Sequence, residues 1–316
     1  MPSTSIDHAF TAKSRKSAAS DPTHAGALSF MRRPYSKDVR GADVVVWGIP
    51  FDAAVSNRPG ARFGPQAIRR ASAIFDNDPQ YPFGLDLFKD LSVIDYGDCL
   101  LDYGNHQKTP VAIEKEAAKI LKSGAFLYSM GGDHYVTWPL LKAHSAVHGP
   151  MALVHFDAHQ DTWFDDGKRI DHGSFVARAA REGIIDTKRS IQIGIRTAAP
   201  DDFGIKIIPG YEVEDMGAQA VADAIKKHVG DAKAYLTFDI DCLDPAFAPG
   251  TGTPVAGGPS SAKVLSVLRK LGFLNLVGAD IVEVAPAYDH ADITAIAGAT
   301  VAMYVLGLLA EKRAKR

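Results

Sequence analysis

Three stretches of the chain combine histidine and aspartate in spacings that suit metal chemistry. They are GGDH at residues 131–134, HFDAHQD at 155–161 and TFDIDCLDP at 237–245. Each one follows or continues a short apolar run that is typical of a buried strand. Burying carboxylates at such positions costs free energy unless they are paired or bind a cation. The three stretches therefore predict a cation site at the ends of buried strands.

The spacing within the second and third stretches brings their polar side chains to common faces. Because side chains alternate in an extended chain, Asp157, His159 and Asp161 share one face. By the same rule Asp239 and Asp241 share a face at the end of a later strand. Two carboxylates this close repel each other unless a cation lies between them. The pattern is thus more typical of a metal site than of a polar turn.

The first stretch adds His134, which taken alone is more typical of a structural histidine than of a ligand. The three stretches together offer two histidines and four aspartates as ligands: His134, Asp157, His159, Asp161, Asp239 and Asp241. Carboxylates with imidazoles suit Mn²⁺ or a similar divalent ion. Six ligands are too many for one catalytic ion, so we expect two ions about 3.5–4 Å apart with a hydroxide between them as nucleophile. We expect His155 to pack or hydrogen-bond behind this set.

The elements that position these residues alternate along the chain. Strands are predicted by the apolar runs at 43–50, 91–98, 125–130, 151–156, 190–195, 206–209, 234–238 and 274–284. Helices are predicted at 60–75, 109–124, 135–148, 213–229, 260–271 and 293–310. This alternation indicates an α/β fold, with a mostly parallel central sheet covered by helices on both faces. Ligands of such sheets bind beyond the carboxyl ends of the strands, which is where the three stretches lie.

The composition narrows the class of protein. The chain has 316 residues, of which 46% are hydrophobic and 23% charged, as in a globular protein. The 35 basic and 37 acidic residues give a net charge of −2, which argues against binding nucleic acid. Its two cysteines form no CxxC motif, so a reducing cytoplasm fits best. Residues 30–310 contain no repeat or flexible linker, and residues 30–316 are predicted to form a single domain.

Two terminal segments could be mistaken for targeting signals. Residues 1–29 are rich in serine and alanine, but Asp7 and Asp21 argue against a transit peptide, and we expect a flexible tail. Residues 293–310 lack charged side chains over eighteen positions, just enough for a membrane span. Threonines and glycines dilute this run, and its apolar residues form one helical stripe. A buried terminal helix, rather than a membrane anchor, is the prediction.

The three stretches resemble the signature blocks of the ureohydrolases, the family of arginase, agmatinase and their relatives. The resemblance extends from residue 30 to the last helix and includes the longer block TFDIDCLDPAFAPGTGTPVAGG at 237–258. It implies a three-layer α/β/α fold of the arginase type and a dinuclear manganese centre. It also implies hydrolysis of a guanidinium group to urea and an amine.

The resemblance also assigns roles to individual residues. One metal would be bound by His134 and Asp161 and the other by His159 and Asp241, with Asp157 and Asp239 bridging both. His172, in the motif DHGS, matches the histidine that delivers a proton, which the leaving amine requires. Glu283, in VEVAPAYD, matches the carboxylate that binds the substrate guanidinium, and charge-assisted hydrogen bonds suit that planar cation.

Within the family, the blocks look closest to those of bacterial agmatinases. Arginases have an asparagine where this chain has Trp163, within a longer loop that holds the amino acid end of arginine, and that loop is missing here. We therefore expect agmatine as the substrate and urea and putrescine as products. Guanidinobutyrate or guanidinopropionate remain alternatives, with Arg58 and Arg62 as candidate partners of their carboxylates. The resemblance also implies a homo-oligomer, a trimer or hexamer.

Two other classes of protein are less consistent with the ligands. A non-catalytic member of the fold, acting as a regulator, would be free to lose ligands, and this chain has all six. A deacetylase-type enzyme on a similar sheet would use one zinc and fewer aspartates. A count of two bound metals would exclude the deacetylase.

Overall fold

A computed structural model describes residues 7–16, 21–75 and 79–315 of the chain. Its described part contains eight strands, all of them in one sheet. They are β1 (Val44–Gly48), β2 (Val93–Asp98), β3 (Phe126–Met130), β4 (Ala152–Phe156), β5 (Ile191–Ile195), β6 (Lys206–Pro209), β7 (Lys233–Asp239) and β8 (Asn275–Val282). Each corresponds to one predicted apolar run, with bounds that differ by a few residues at most.

The strands lie in the order β2-β1-β3-β8-β7-β4-β5-β6, and every neighbouring pair is parallel. Strands β1, β4 and β5 are buried along their whole length. A strand that is covered on both faces is built mainly from apolar side chains, because a buried polar group needs a hydrogen-bond partner. That burial explains why these strands appear in the sequence as continuous apolar runs rather than as alternating patterns.

The described residues contain ten α-helices. They are α1 (His8–Thr11), α2 (Gly64–Ala71), α3 (Leu87–Asp90), α4 (Thr109–Leu121), α5 (Thr137–His148), α6 (Phe175–Arg181), α7 (Gly210–Asp215), α8 (Ala218–Val229), α9 (Ser261–Leu268) and α10 (Ile293–Ala314). Short 3-10 helices span Phe30–Arg32, Ala61–Phe63, Ser72–Ile74, His106–Lys108, His134–Val136, His172–Ser174, Ile240–Cys242 and Pro286–Tyr288.

The helices form two layers with separate hydrophobic cores. Helices α2, α8, α9 and α10 contribute to one core through residues such as Ile68, Val264 and Val305. Helices α4, α5 and α6 contribute to the other, for example through Ile113 and Leu140. Because a helix with one apolar stripe must bury it against another element, the sheet is covered on both faces. The predicted three-layer α/β/α architecture is thus confirmed.

One predicted helix, at residues 213–229, is wrong as a single element. The structure has two helices there, α7 and α8, separated by Met216 and Gly217. Both residues have extended backbone, with ψ of 145° and 151°. Glycine is a weak helix former, and the apolar pattern on either side hides the break. The short helices α1, α3 and α6 were not among the predicted helices.

The long helix α10 has the length and apolar composition of a membrane span, yet 72% of its most apolar window is buried inside the fold. It packs against α2, α3 and α9 and against β8. Burial of this kind is usual for a core helix of a globular domain. The structure therefore agrees with the prediction of a buried terminal helix.

Parts of the predicted N-terminal tail contact the domain. Ala9 is buried, and its carbonyl accepts a hydrogen bond from the Tyr35 N–H at 2.8 Å. The buried Asp21 carboxylate lies 3.7 Å from the Arg32 guanidinium and accepts a hydrogen bond from the His8 N–H. Residues 1–6 and 17–20 of the predicted tail lie outside the described residues. A domain boundary at residue 30 remains a prediction.

One histidine buried between α5 and the sheet predicts sensitivity to acid. The Nδ1 atom of His144 donates to the Leu140 carbonyl at 2.8 Å, while its Nε2 has no hydrogen-bond partner among the described residues. Burial lowers the pKa of His144 to about 4. Below pH 6.5 the unfolded chain therefore binds a proton that the folded chain does not, and the free energy of unfolding decreases.

The variant His144→Asn tests this effect. When the pH falls from 7 to 5, the free energy of unfolding should decrease by about 2 kcal/mol less in the variant than in the unchanged protein. The reason is that the asparagine side chain does not titrate. Urea unfolding at the two pH values measures both losses. Equal losses in the two proteins would contradict the buried neutral state of His144.

Candidate metal centre and active site

All predicted site residues except His172, which lies in the 3-10 helix His172–Ser174, are at the ends of four strands that are neighbours in the centre of the sheet. In the order β3-β8-β7-β4, these strands are followed by the GGDH stretch, Glu283, the DxD pair and the DAHQD stretch. Parallel strands bring their carboxyl ends to the same edge of a sheet. Residues that are up to 149 positions apart in the chain therefore meet at one place, as His134 and Glu283 do.

Short 3-10 helices capped by aspartates hold the backbone around this site. Asp133 accepts a hydrogen bond from the Tyr135 N–H at 3.2 Å, and Asp239 accepts one from the Asp241 N–H at 2.8 Å. Asp171 accepts one from the Gly173 N–H at 2.9 Å. An aspartate at the first position of a helical turn satisfies a backbone donor that has no partner in the turn. Each of these aspartates thus ends the segment before it and fixes the position of the short helix that follows.

His134 lies at the centre of the first group of ligand atoms. Its Nδ1 is 3.0 Å from Asp157 Oδ2, 3.1 Å from Asp161 Oδ2 and 3.2 Å from Asp239 Oδ2. Within the described residues neither this Nδ1 nor Asp161 Oδ2 has a partner with hydrogen-bond geometry. Buried polar atoms without partners are rare and call for an explanation. A cation that all four residues bind would provide one.

His159 lies in a second group, beside Asp157 and Asp241. Its Nδ1 is 3.3 Å from Asp157 Oδ1 and 3.1 Å from Asp241 Oδ2. The two groups share Asp157, one oxygen of which faces each histidine. The Thr253 hydroxyl donates to Asp241 Oδ2 at 3.2 Å and orients that carboxylate. All six predicted ligands are therefore brought together in two adjoining groups.

The carboxylates of these groups perturb each other's protonation. Burial raises the pKa of Asp239 well above its usual range, and the nearby Asp241 and Asp157 carboxylates raise it further. Burial and the Asp157 carboxylate likewise raise the pKa of Asp161. Cations between these groups would offset the repulsion and favour the charged forms. The electrostatics, like the geometry, suit two divalent ions.

His155 lies behind the ligands and hydrogen-bonds to one of them. The Gln192 side-chain amide donates to the Gln160 carbonyl at 2.6 Å and to His155 Nδ1 at 3.0 Å. With Nδ1 accepting, the ring proton is on Nε2, which donates to Asp157 Oδ2 at 2.6 Å. This arrangement agrees with the prediction of a supporting hydrogen bond. His155 also has a ring nitrogen close to the ligand atoms of His134 and Asp161.

Glu283 and His172 form a buried pair next to the ligands. Glu283 Oε1 accepts hydrogen bonds from the His134 N–H at 2.9 Å and from His172 Nδ1 at 2.8 Å. Glu283 Oε2 is buried and accepts no hydrogen bond from any part of the chain that is described. Burial disfavours the charged form of His172, but the carboxylates of Glu283, Asp133 and Asp161 together outweigh burial and raise the pKa of His172 to about 9.

Two of the predicted site residues have a strained backbone. Asp161 has φ of 51° and Glu283 has φ of 64°, in the left-handed region that residues other than glycine rarely adopt. Strain of this kind costs about 1–3 kcal/mol for each residue and is concentrated at functional sites. At both positions the unusual turn directs a carboxylate toward the ligand groups.

A cavity of about 410 Å³ leads to this site. Among the described residues it is lined by Ser56, His159, Asp161, Trp163, Phe164, Arg169, Asp171, His172, Gly173, Asp239 and Thr253. A separate groove of about 300 Å³ between α9 and α10 is lined by apolar and hydroxyl side chains alone in the described chain, so it carries no group for acid–base or metal chemistry.

The two arginines proposed as carboxylate partners are not among the residues that line this cavity. Arg62 forms an ion pair with the buried Asp52 and faces a different cavity. The Arg58 guanidinium lies 5.2 Å from the centre of the Tyr288 ring. The guanidinium that does line the cavity belongs to Arg169, which is paired with Asp171 at 3.2 Å.

Several residues that support the site were not predicted from the sequence. The Ser56 N–H and hydroxyl lie 3.1 Å and 2.8 Å from His172 Nε2. Arg196 donates to the carbonyls of Asp241, Cys242 and Leu243, which fixes the loop after the DxD pair.

The buried Thr237 and Asp280 contact each other behind His134. Polar residues inside the apolar runs of β7 and β8 were the available signal for the last two, since buried polar groups need partners.

The fold and the site together define a class of protein: a parallel α/β/α protein with a carboxylate-rich centre suited to divalent metals. Comparisons with known proteins make this specific. The profile of the arginase family matches residues 42–307. The curated agmatinase of Chromobacterium violaceum is 53% identical over 293 residues, which cover 92% of this chain and 91% of that protein. The agmatinase of Neisseria meningitidis serogroup C is 47% identical over 90% of this chain and 92% of its own.

Solved structures give the same result. The crystal structure of a hypothetical agmatinase from Burkholderia thailandensis matches with a TM-score of 0.96 and 51% identity over 98% of both chains. The proclavaminate amidino hydrolase of Streptomyces clavuligerus matches with a TM-score of 0.87 and 38% identity, over 92% of this chain and all of that one. The chain belongs to the arginase family, as the signature blocks predicted.

Proposed function

We propose that the protein hydrolyses the guanidinium group of agmatine to give urea and putrescine. The observation that carries this proposal is a buried carboxylate oxygen, Glu283 Oε2, without a hydrogen-bond partner in the described chain and beside a group of metal-ligand atoms. A guanidinium offers several N–H donors in one plane to such an acceptor. The names of the agmatinase relatives at 47–53% identity support the choice of substrate.

The ligand groups fit two divalent cations, and manganese is the metal we propose because carboxylates outnumber imidazoles. His134 and Asp161 would bind one ion, His159 and Asp241 the other, and Asp157 and Asp239 both. Bound cations would lower the pKa of a water and so supply a nucleophile near neutral pH. The unpaired Nδ1 of His134 and Oδ2 of Asp161 support this use of the site.

Two residues of the chain act on the substrate itself. Glu283 would accept hydrogen bonds from the guanidinium through Oε2 and so fix its carbon next to the nucleophile. Addition of the nucleophile's oxygen to the guanidinium carbon would turn a carbon–nitrogen double bond into a single bond and give a tetrahedral carbon. When this carbon becomes planar again as urea, the bond from carbon to the alkylamine nitrogen breaks and the added oxygen loses its proton. His172 would deliver the proton that this nitrogen needs in order to leave as putrescine. The contact between His172 and Glu283 keeps the proton donor beside the bound guanidinium.

The cavity supports agmatine over the guanidino acids. A substrate with a terminal carboxylate needs a cation with free donors near the cavity mouth. Arg62 is paired with Asp52, and neither Arg62 nor Arg58 is among the described residues that line the cavity. Arg169 lines the cavity, but Asp171 offsets its charge. Trp163 and Phe164 add aromatic walls that suit the methylene chain of agmatine.

The variant Glu283→Gln tests the role of the carboxylate. Its kcat/KM for agmatine should fall by about 10- to 100-fold, because a charge-assisted hydrogen bond is worth about 1.5–3 kcal/mol. The manganese content should stay unchanged, since Glu283 is outside the proposed ligand set. Steady-state kinetics and metal analysis of the same preparation measure both. An unchanged kcat/KM would contradict guanidinium binding by Glu283.

The remaining features of the proposal follow from the class of enzyme. A product such as putrescine would place the protein in polyamine formation. We propose that the protein is cytoplasmic and forms a homo-oligomer, a trimer or hexamer. We expect it to bind small guanidino molecules and to bind neither nucleic acid nor a membrane. Gel filtration with light scattering tests the oligomer number directly.

The proposed substrate is tested by comparing four guanidino compounds. Protein reconstituted with Mn²⁺ is given agmatine, guanidinobutyrate, guanidinopropionate or arginine, and released urea is measured. We expect the highest kcat/KM for agmatine. A preference for either guanidino acid would move the function to that related enzyme and make Arg169 the residue to change next. No urea from any of them would contradict the proposed reaction.

A further inference from the structure

Behind His134, a chain of hydrogen bonds leads into the sheet. His134 Nε2 lies 2.8 Å from Thr237 Oγ1, and Thr237 Oγ1 lies 2.5 Å from Asp280 Oδ1. Thr237 on β7 and Asp280 on β8 are directly paired across the two strands. All three residues are buried. Water therefore does not compete for these contacts, and their donors and acceptors must satisfy one another.

The direction of each hydrogen bond follows from the surroundings of Asp280. Its other oxygen, Oδ2, accepts from the Tyr235 hydroxyl at 2.8 Å and from the Thr137 hydroxyl at 2.9 Å. The hydroxyls of Tyr235, Thr137 and Thr237 all point at the two oxygens of Asp280, and each hydroxyl has one proton to donate. With the carboxylate as the common acceptor, Thr237 donates its one proton to Asp280. The Thr237 oxygen is then left to accept a proton from His134 Nε2.

This direction has a consequence for the other nitrogen of His134. With the proton on Nε2, a neutral imidazole carries its lone pair on Nδ1. Nδ1 is the atom that lies 3.0–3.2 Å from the Asp157, Asp161 and Asp239 carboxylates. If the hydrogen bonds ran the other way, the neutral ring would carry its proton on Nδ1 and could not bind a metal there.

We infer that Asp280, acting through Thr237, fixes His134 in the tautomer whose Nδ1 binds a divalent cation. Asp280 and Thr237 are positioning residues, because they act on the metal ligand and not on substrate. The inference rests on the proposed function only in that a divalent ion occupies this site. Groups that orient metal ligands in this way typically change metal affinity by about 10- to 100-fold.

The first test is the isosteric variant Asp280→Asn. An amide placed with its nitrogen toward Thr237 would donate to that hydroxyl, so Thr237 would donate to His134 Nε2 and the preferred tautomer would reverse. We expect Mn²⁺ to bind about 10- to 100-fold more weakly at one of two sites. The other site, with His159 and Asp241, should keep its affinity. Calorimetric titration of metal-depleted protein with Mn²⁺ resolves the two steps.

A second pair of variants separates the hydrogen bond from packing. Thr237→Val keeps the shape of the side chain but removes the hydroxyl, and should weaken the same Mn²⁺ site as Asp280→Asn. Thr237→Ser retains the hydroxyl and should restore the affinity. Asp95→Asn is the matched control. Asp95 lies on the edge strand β2 and is as buried as Asp280, but it forms an ion pair with Arg69 at 2.7 Å. Its Mn²⁺ affinities should equal those of the unchanged protein.

The outcomes distinguish this inference from the proposed function. Unchanged Mn²⁺ affinity in both Thr237→Val and Asp280→Asn would overturn the inference, as would equal weakening in Thr237→Ser or Asp95→Asn. Should Asp280→Asn fail to fold, the valine and serine variants decide. The titrations need no substrate, so a failure of agmatine hydrolysis in the unchanged protein would contradict the proposed reaction without affecting the affinities.

Discussion

Replacing Asp157 or Asp239 by alanine should abolish both metal binding and turnover. Asp157 lies between the two ligand groups and faces both His134 and His159. Asp239 lies at the border of the groups, beside His134. Loss of the cations removes several kcal/mol of transition-state stabilisation, so kcat/KM should fall by at least about a thousandfold. Metal analysis after dialysis and urea release from agmatine measure the two effects.

The control for these variants is Asp231→Ala. Asp231 is 97% exposed and pairs with Arg189 near the start of β7, away from the ligand groups. Its metal content and turnover should match those of the unchanged protein, since exposed ion pairs contribute little to stability. Activity retained in Asp157→Ala or in Asp239→Ala would contradict the proposed dinuclear centre.

Replacing His172 by asparagine should lower kcat while the metal content stays full. A positioned general acid contributes about 10²- to 10⁴-fold to a rate, and the loss should be of this size. Asparagine can still donate to Glu283, so binding of the guanidinium should change little. A drop in kcat with nearly constant KM, together with two bound metals per chain, is the expected result.

Two observations would separate a proton-transfer role from a structural one. Added imidazole should restore part of the lost rate in His172→Asn, because a free imidazole can deliver the proton from the cavity. The control variant His148→Asn, at the end of α5, should keep the unchanged rate. Full activity in His172→Asn, or loss of its metals, would contradict the role proposed for His172.

The positions of the strands along the chain were predictable from the sequence because most strand residues are buried, but the order of the strands in the sheet was not predicted. A run such as VVVWG in β1 has no polar position, and burial on both faces of the sheet is what that pattern indicates. The ligand stretches could be placed because the carboxyl ends of parallel strands share one edge. The family resemblance then added His172 and Glu283, which as single residues have ordinary structural explanations.

The remaining features depend on contacts between distant parts of the chain. His172 meets Glu283 across 111 positions, and no local pattern predicts that pairing. The left-handed backbone of Asp161 and Glu283 was not predicted, because non-glycine residues rarely adopt it and the sequence gives no local signal for it. Thr237 and Asp280 could have been singled out as polar residues in apolar strands, but their partners could not.

We propose that two divalent ions bound by the His/Asp groups enable this chain to hydrolyse agmatine. The most direct measurement is urea release from agmatine by metal-depleted protein as Mn²⁺ is added in known amounts. We predict that turnover rises with bound Mn²⁺ and reaches its maximum at two ions per chain. Full turnover with one ion, or two bound ions without urea, would contradict the account.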